Sequence, residues 1–127
     1  MWQTYVDNQL VGSGNLDGGI IVSAADGGTW AQSSGFSLSA GEGAALVALY
    51  KNPGSAFTNG VTVGGVKYTV AVKADARSIY ARKSSAGIVL VRTSQTILVG
   101  RYSERHQPAV AAQTVEKLGD YLIENGR

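Results

Sequence analysis

The sequence predicts a single α+β domain, an antiparallel meander of six or seven strands with helices packed on it from both ends of the chain. Three observations predict it. Apolar residues recur at helical spacing at the two termini. The second half between them is built of short alternating or continuous apolar runs. The spacers between the later runs are two or so residues long, whereas a parallel crossover takes about a dozen or more, so those runs pair as hairpins. A chain of 127 residues suits one domain, 1–127, and buries about two-thirds of its unfolded surface without disulfides or metals.

Each element has its own signal. Over residues 2–13, Val6 and Leu10 lie one turn apart with Trp2 nearby, and Gly12 and Gly14 stop the helix. Gly18-Gly19 precedes the apolar run Ile20-Ile21-Val22, and Ala25-Asp26-Gly27-Gly28 carries the Asp-Gly signal of a hairpin into Thr29-Trp30-Ala31. Ser39 to Tyr50 reads as a helix with Ser39 as cap, Glu42 three residues on, and Leu46, Leu49 and Tyr50 at helical spacing. Asn52-Pro53-Gly54 ends it. Val66, Tyr68, Val70 and Val72 then alternate with Lys67, Thr69, Ala71 and Lys73, the pattern of one half-buried strand. Ile79–Lys83, Ile88–Arg92 and Thr96–Tyr102 follow, parted at Ser84-Ser85 and Thr93-Ser94. From Pro108 to Asn125, Ala111, Val115, Leu118 and Leu122 fall in a narrow arc of a last helix, and Gly126 follows its end.

Composition excludes much chemistry. With no cysteine there is no disulfide, thiolate nucleophile or sulfur-ligated metal, and His106, the single histidine, rules out a multi-histidine site. No metal site and no catalytic residue are predicted. A nucleotide-binding glycine loop is missing, because Gly12/Gly14 and Gly41/Gly43 lack the third glycine. His106 reads as an exposed residue of the loop before the last helix, and Glu42 and Glu116 as solvated charges. No apolar run approaches the ~18 residues of a membrane span, and no secretory signal opens the chain. The expectation is a soluble, intracellular monomer that is not an enzyme and holds no cofactor.

Two features point to partners instead. Lys67, Lys73, Arg77, Arg82, Lys83 and Arg92 stand against Asp75 alone, with Arg101 just beyond. Alternating strand positions would put such residues on one face of a sheet, as a rigid cationic surface for an acidic protein or anionic lipid. Nucleic acid is not expected, because the aromatics are not interleaved with this stretch. The second feature is aromatic. Tyr5 lies about 100° from Val6 around the first helix, and Tyr121 about 80–100° from the apolar arc of the last. Antiparallel packing of these helices would join the two flanks, with Trp2 beside Tyr5 and Trp30 as a floor. Spacing leaves open whether the rings complete the core or line a groove for polyproline II, whose pyrrolidine faces stack on flat rings and whose free carbonyls accept from indole and phenol.

The residues then resemble a known family. Trp2-Gln3-Thr4-Tyr5-Val6-Asp7, Gly28-Thr29-Trp30-Ala31, Ser34-Gly35-Phe36, Gly64-Gly65-Val66-Lys67-Tyr68, Arg77-Ser78-Ile79-Tyr80, Lys83-Ser84-Ser85-Ala86-Gly87 and Val115–Ile123 together resemble profilin, in order and from end to end, most of all its short amoeboid and plant-type members. The resemblance implies a profilin-like sheet with the terminal helices packed together on one face and shorter helices on the other. It implies binding of monomeric actin, with effects on its polymerisation and nucleotide exchange. It also implies binding of proline-rich assembly factors such as formins, and of phosphatidylinositol bisphosphate at the membrane surface, in a cytoplasmic, cytoskeleton-associated protein. Carried over by position, the polyproline site falls on Trp2, Tyr5, Trp30 and Tyr121, with Leu122 at its border but assigned to the core. The actin surface falls on Lys67, Tyr68, Arg82, Lys83, Arg92, Gln113, Glu116 and Lys117, and less firmly on Arg101 and Gln107. Charge reversal at Lys117 is then expected to weaken actin binding and spare polyproline.

This chain departs from the family pattern at Ala109, where glycine is common, and at Arg127, which replaces an apolar or aromatic end and reads as a frayed terminus. A PAS-like small-molecule sensor shares the predicted architecture, but its enclosed pocket conflicts with the Ala- and Val-rich faces, which predict a filled core. A phosphoinositide-signalling module without actin binding is the nearer alternative.

Overall fold

A computed structural model describes residues 1–127. Eight strands form, β1 (Gly18–Ser23), β2 (Thr29–Gln32), β3 (Val61–Val63), β4 (Val66–Tyr68), β5 (Val70–Ala74), β6 (Ser78–Lys83), β7 (Ala86–Arg92) and β8 (Thr96–Tyr102). Six of them make one antiparallel sheet in the order β2-β1-β8-β7-β6-β5, while β3 and β4 pair as a separate ribbon. The N-terminal helix α1 covers residues 2–13, and α2 (Glu42–Leu49), α3 (Ser55–Asn59) and α4 (Pro108–Glu124) complete the chain.

The two sheet faces bury different cores, and the strand alternation decides which side chain goes where. Ile20, Val22, Ile88, Leu90, Ile97 and Val99 point to the face that carries α2, α3 and the ribbon. Ile21, Val89, Val91 and Leu98 point to the other face, where they meet Val6 and Leu10 of α1 and Ala111, Val115, Leu118 and Leu122 of α4. This explains the unbroken apolar run of β1, a strand covered on both sides. The terminal helices run antiparallel: Tyr5 meets Tyr121 near the end of α4, whereas Asn15 Nδ2, beyond α1, donates to Thr114 Oγ1 farther back along it (3.0 Å).

Two expectations need correction. The first helix is not uniformly α: Trp2–Thr4 continues into a wider π-helical stretch, Tyr5–Leu10, and a tight 3₁₀ turn, Val11–Ser13. Val6 and Leu10 stay buried, as their spacing required. The alternating run Val66–Lys73 is not one strand. It breaks at Thr69, with β4 in the ribbon and β5 at the sheet edge. The break resets the side-chain phase, since a one-residue slip exchanges the faces of a strand. Tyr68 is buried, Val70 and Val72 are exposed, and the half-buried Ala71 faces the core in their place. The shorter helices expected on the other face are α2 and α3, the second of which forms just after Asn52-Pro53-Gly54 in a stretch too short to show helical periodicity.

Glu42 is the other surprise. Rather than a solvated charge it is buried to 9% exposure. Oε1 accepts the Ser39 and Gly64 N–H groups (2.8 and 2.7 Å) and Oε2 that of Gly65 (2.9 Å), so one carboxylate ties the start of α2 to the β3–β4 turn. The Glu42 N–H returns a bond to the Ser39 carbonyl rather than to its hydroxyl (3.0 Å). Glu42→Ala leaves three donors without their acceptor and is expected to cost about 2–3 kcal/mol in urea unfolding. Glu42→Gln should recover only part of that, because its amide N–H₂ would oppose one of the same donors.

Candidate functional site

The aromatic residues of the terminal helices and β2 form a continuous surface ladder. The Trp2 ring stands 5.2 Å from Trp30 and 5.7 Å from Tyr5, and Tyr5 stands 6.1 Å from Tyr121 (centroid distances). Trp30 and Tyr121 are 43% and 50% exposed, and Trp2 and Tyr5 are half-buried. A pair of bonds that the sequence did not reveal holds the ladder together: Gln3 Nε2 donates to the Gln32 carbonyl (2.9 Å) and Gln3 Oε1 accepts the Gln32 N–H (3.3 Å). The side-chain amide thus extends the β2 edge, docking the first turn of α1 so that Trp2 lies beside Trp30. Tyr121 reaches the same surface from the flank of α4 whose adjacent arc is core. Leu122 is fully buried, as expected.

A second concavity lies on the same sheet face but on the opposite side of α4. Val72, Tyr80, Arg82, Val89, Tyr102, Pro108, Ala109 and Ala112 enclose about 320 Å³ of largely apolar space. Next to it, Glu116 accepts from Arg77 Nε (3.1 Å), Ser78 Oγ (2.6 Å) and the Tyr80 hydroxyl. Arg77 also donates to Asp120 Oδ1 (2.7 Å) and to the Glu116 carbonyl (3.2 Å). Burial, reinforced by the Glu116 carboxylate, holds the Tyr80 phenol well above its ordinary value, so it remains a donor. Burial works against the charge of Arg77, but Asp120 and Glu116 outweigh it and raise its pKa. These bonds clamp α4 to β6 and fix one wall of the concavity.

The comparisons with known proteins agree from end to end. The Profilin family model matches residues 1–127. The chain belongs to the profilin family. It is 54% identical to Profilin-P of Physarum polycephalum and 53% identical to Profilin-1 of Dictyostelium discoideum, each over 98% of both chains. Among solved structures, Acanthamoeba castellanii profilin II superposes with a TM-score of 0.94 at 47% identity over the whole of both chains. Mouse profilin IIa, solved in complex with a double repeat from the FH1 domain of mDia1, shares the fold at 19% identity, with a TM-score of 0.78 over 99% of each chain. Profilins are non-enzymatic, cytoplasmic proteins that bind monomeric actin and proline-rich segments. No helix of this chain is long and apolar enough to cross a membrane.

Within the profilin fold the four residues expected at the polyproline site come together. The eight expected at the actin surface do not form one patch. Arg82 borders the 320 Å³ concavity, and Gln113 is exposed on α4. Glu116 is half-buried, its carboxylate engaged by Arg77, Ser78 and Tyr80. Lys117 is exposed but borders a hollow with Gln9, Asn15 and Tyr121, toward the aromatic side of α4. Tyr68 corrects the expectation outright. At 3% exposure it belongs to the core under the ribbon, in one cluster with Phe36, Val61 and Val63. Lys67 is exposed on that ribbon, and Arg92 lines a hollow with Val47, Tyr50 and Lys51, both on the α2 side of the sheet. Lys83 follows Arg82 in β6 and so faces away from it.

The expected one-sided cationic surface is therefore not present. Arg77 is spent on Glu116 and Asp120, and Arg101 on Asp17 (2.8 Å) and the Phe36 ring (4.0 Å). Lys73 lies 4.0 Å from Asp75 and 5.4 Å from the Tyr80 ring centre. Gln107 is exposed at the N-cap of α4, and Ala109 lines the concavity. His106 is half-buried rather than exposed, its Nδ1 accepting the Ser103 N–H (3.0 Å) in the turn before α4.

Proposed function

We propose that this profilin is an actin-monomer-binding protein with a separate polyproline groove, regulating actin polymerisation by bringing actin to proline-rich assembly factors. The observation that carries this reading is the exposed ladder Trp30–Trp2–Tyr5–Tyr121, which lies across α4 from the concavity at Arg82. Each ring-to-ring step of 5.2–6.1 Å spans about two residues of a polyproline II helix, whose rise is roughly 3.1 Å per residue. The FH1 repeat held by mouse profilin IIa supports the same use here. The test is a titration with poly-L-proline followed by tryptophan fluorescence. Both tryptophans sit in the ladder, so a saturable change is expected, and its absence in a folded protein would reject the groove.

Actin is assigned to the concavity bordered by Arg82, Tyr80 and Ala109, with Gln113 on the adjoining helix surface. Arg82 makes no ion pair within the protein, so its charge is free for an acidic partner. Arg82→Glu is expected to weaken actin-monomer binding by about tenfold or more, with poly-L-proline binding unchanged. Sequestration of pyrene-labelled actin measures the first and fluorescence the second, and equal loss of both would mean that the sites are not separate. Lys117 reports less cleanly, because it borders the hollow that contains Tyr121.

Acceleration of nucleotide exchange belongs to the same proposal and needs no catalytic group, since preferential binding to an opened actin conformation suffices. Phosphatidylinositol bisphosphate is assigned to the exposed cations that have no internal partner, among them Lys67, Lys83 and Arg92. They are dispersed over the surface, so the attraction should be weak and fall steeply with salt.

A further inference from the structure

We propose that the groove of this profilin selects proline-rich segments carrying an acidic side chain, and that the guanidinium of Arg127 is the selecting group. The proposal rests on the polyproline reading of the aromatic ladder and adds a charge preference to it.

Arg127 is a fixed residue, not a frayed one. Gly126 takes the left-handed conformation (φ 74°) that residues with a Cβ adopt rarely. The Arg127 N–H then reaches the Leu122 carbonyl (2.8 Å) and the Gly126 N–H the Ile123 carbonyl (3.0 Å), the paired bonds of a Schellman ending. The Arg127 carbonyl in turn accepts the Gln95 N–H (2.6 Å) and the Thr93 hydroxyl (2.9 Å) of the β7–β8 turn. With its backbone held at both ends, the side chain extends to the ladder, where Nη1 donates to the Tyr5 hydroxyl (2.9 Å) and lies 3.7 Å from Met1 Sδ.

The charge has no counter-ion. The ion pairs of the protein involve Lys73, Arg77 and Arg101, and neither Asp7 on α1 nor Glu124 on α4 reaches Arg127. Tyr5 and Met1 take the two N–H groups of Nη1, and the other three, on Nε and Nη2, have no acceptor in the protein, a planar fork that suits a carboxylate better than any neutral acceptor. The Tyr5 hydroxyl, which accepts from Arg127, still carries its own proton for a ligand carbonyl. Stacking on the rings is indifferent to charge, so the neutral proline run supplies the affinity and an acidic residue beside it supplies the discrimination. Proline-rich segments flanked by lysine or arginine are correspondingly disfavoured.

The experiment compares capped peptides by tryptophan fluorescence: a proline decamer, the same decamer with glutamate at its first or last position, and the lysine counterparts. One of the two glutamate peptides is expected to bind about three- to fivefold more tightly than the neutral decamer, the size of a partly exposed ion pair. That gain should shrink at high salt. In Arg127→Ala the glutamate and neutral peptides should bind alike, whatever the variant's affinity for the neutral decamer, and the fold should persist because the anchoring bonds are all backbone. Arg127→Lys should restore part of the gain. Equal affinities for neutral and acidic peptides in the native chain, or a gain that survives in Arg127→Ala, would overturn the proposal and leave the groove standing. If Arg127→Ala does not fold, the native chain still decides, through the order glutamate, neutral, lysine and its collapse with salt. Failure of every peptide to bind would reject the groove itself, and the charge preference with it.

Discussion

Trp2→Ala is expected to lower affinity for poly-L-proline by at least about thirtyfold, the mark of a central aromatic contact, in a protein that remains folded. Trp2 is the hinge of the ladder. It touches Trp30 on one side and Tyr5 on the other, so its removal splits one stacking surface into two. An indole also contributes on the order of 200 Å² of contact surface and an N–H for a ligand carbonyl, and alanine supplies neither. The fold should survive because α1 is held elsewhere, by Val6 and Leu10 in the core and by the Gln3 amide on β2. A stability cost of about 1–2 kcal/mol is expected for a half-buried aromatic. Circular dichroism and urea unfolding check the fold, and the Trp30 fluorescence left in the variant checks binding. Tight binding by a folded Trp2→Ala protein would place the polyproline site away from these rings. Tyr121→Ala, at the end of the ladder, should cost less.

What could be read from the sequence is what depends on short-range spacing. The core stripe of α4, the pairing of the later strands and the burial of Val6 and Leu10 follow from periodicity alone, and each is found. The flank positions of Tyr5 and Tyr121 were legible for the same reason. Their meeting was conditional on antiparallel packing of helices far apart in sequence, which spacing does not specify. Where a long-range partner decides the outcome, local pattern misleads. Val66–Lys73 has an ideal alternation, yet the ribbon with β3 captures its first half and the edge of the main sheet its second. Glu116 looks like a solvated charge because its partners Arg77, Ser78 and Tyr80 lie 36 to 39 residues away, and Glu42 because only one of its three donors, the Ser39 N–H, is local, whereas those of Gly64 and Gly65 lie 22 and 23 residues on. The basic residues between Lys67 and Arg92 suggest a common face only if their strands share one sheet and one side-chain phase, and Lys67 lies on the separate ribbon while Arg82 and Lys83 are consecutive in β6. Spread over three strands and the ribbon, they divide between the two sides of the sheet.

Gly43→Ala is expected to be strongly destabilising for a single added methyl, and it sets two effects of opposite sign against each other. Gly43 lies in the first turn of α2, where alanine is intrinsically favoured over glycine by about 0.8–1.0 kcal/mol. A helix-propensity argument therefore predicts stabilisation. The packing predicts the reverse. A methyl on Gly43 would fall well inside contact distance of the Gly27 carbonyl and 3.3 Å from the Gly27 Cα, and a methyl on Gly27 would press equally on Gly43 and Ala44. Both obstacles are backbone, so no rotamer relieves them. Either α2 lifts from the sheet, opening the core around Leu46, or the β1–β2 turn shifts and the Ser23–Gly28 and Gly27–Ser23 hydrogen bonds are strained. Overpacking of this kind costs about 3 kcal/mol or more, which exceeds the propensity gain and lowers Tm by on the order of 10 °C in a domain of this size. Gly54→Ala is the matched control. Its φ of −58° is ordinary and nothing stands within 4 Å of the added methyl. It should therefore be neutral or gain up to about 1 kcal/mol by restricting the unfolded chain. Opposite signs for the two variants in parallel thermal melts would show that contact between α2 and the β1–β2 turn, not helix propensity, fixes glycine at position 43. A stabilised Gly43→Ala protein would mean that the approach of these two backbones is looser than the fold requires.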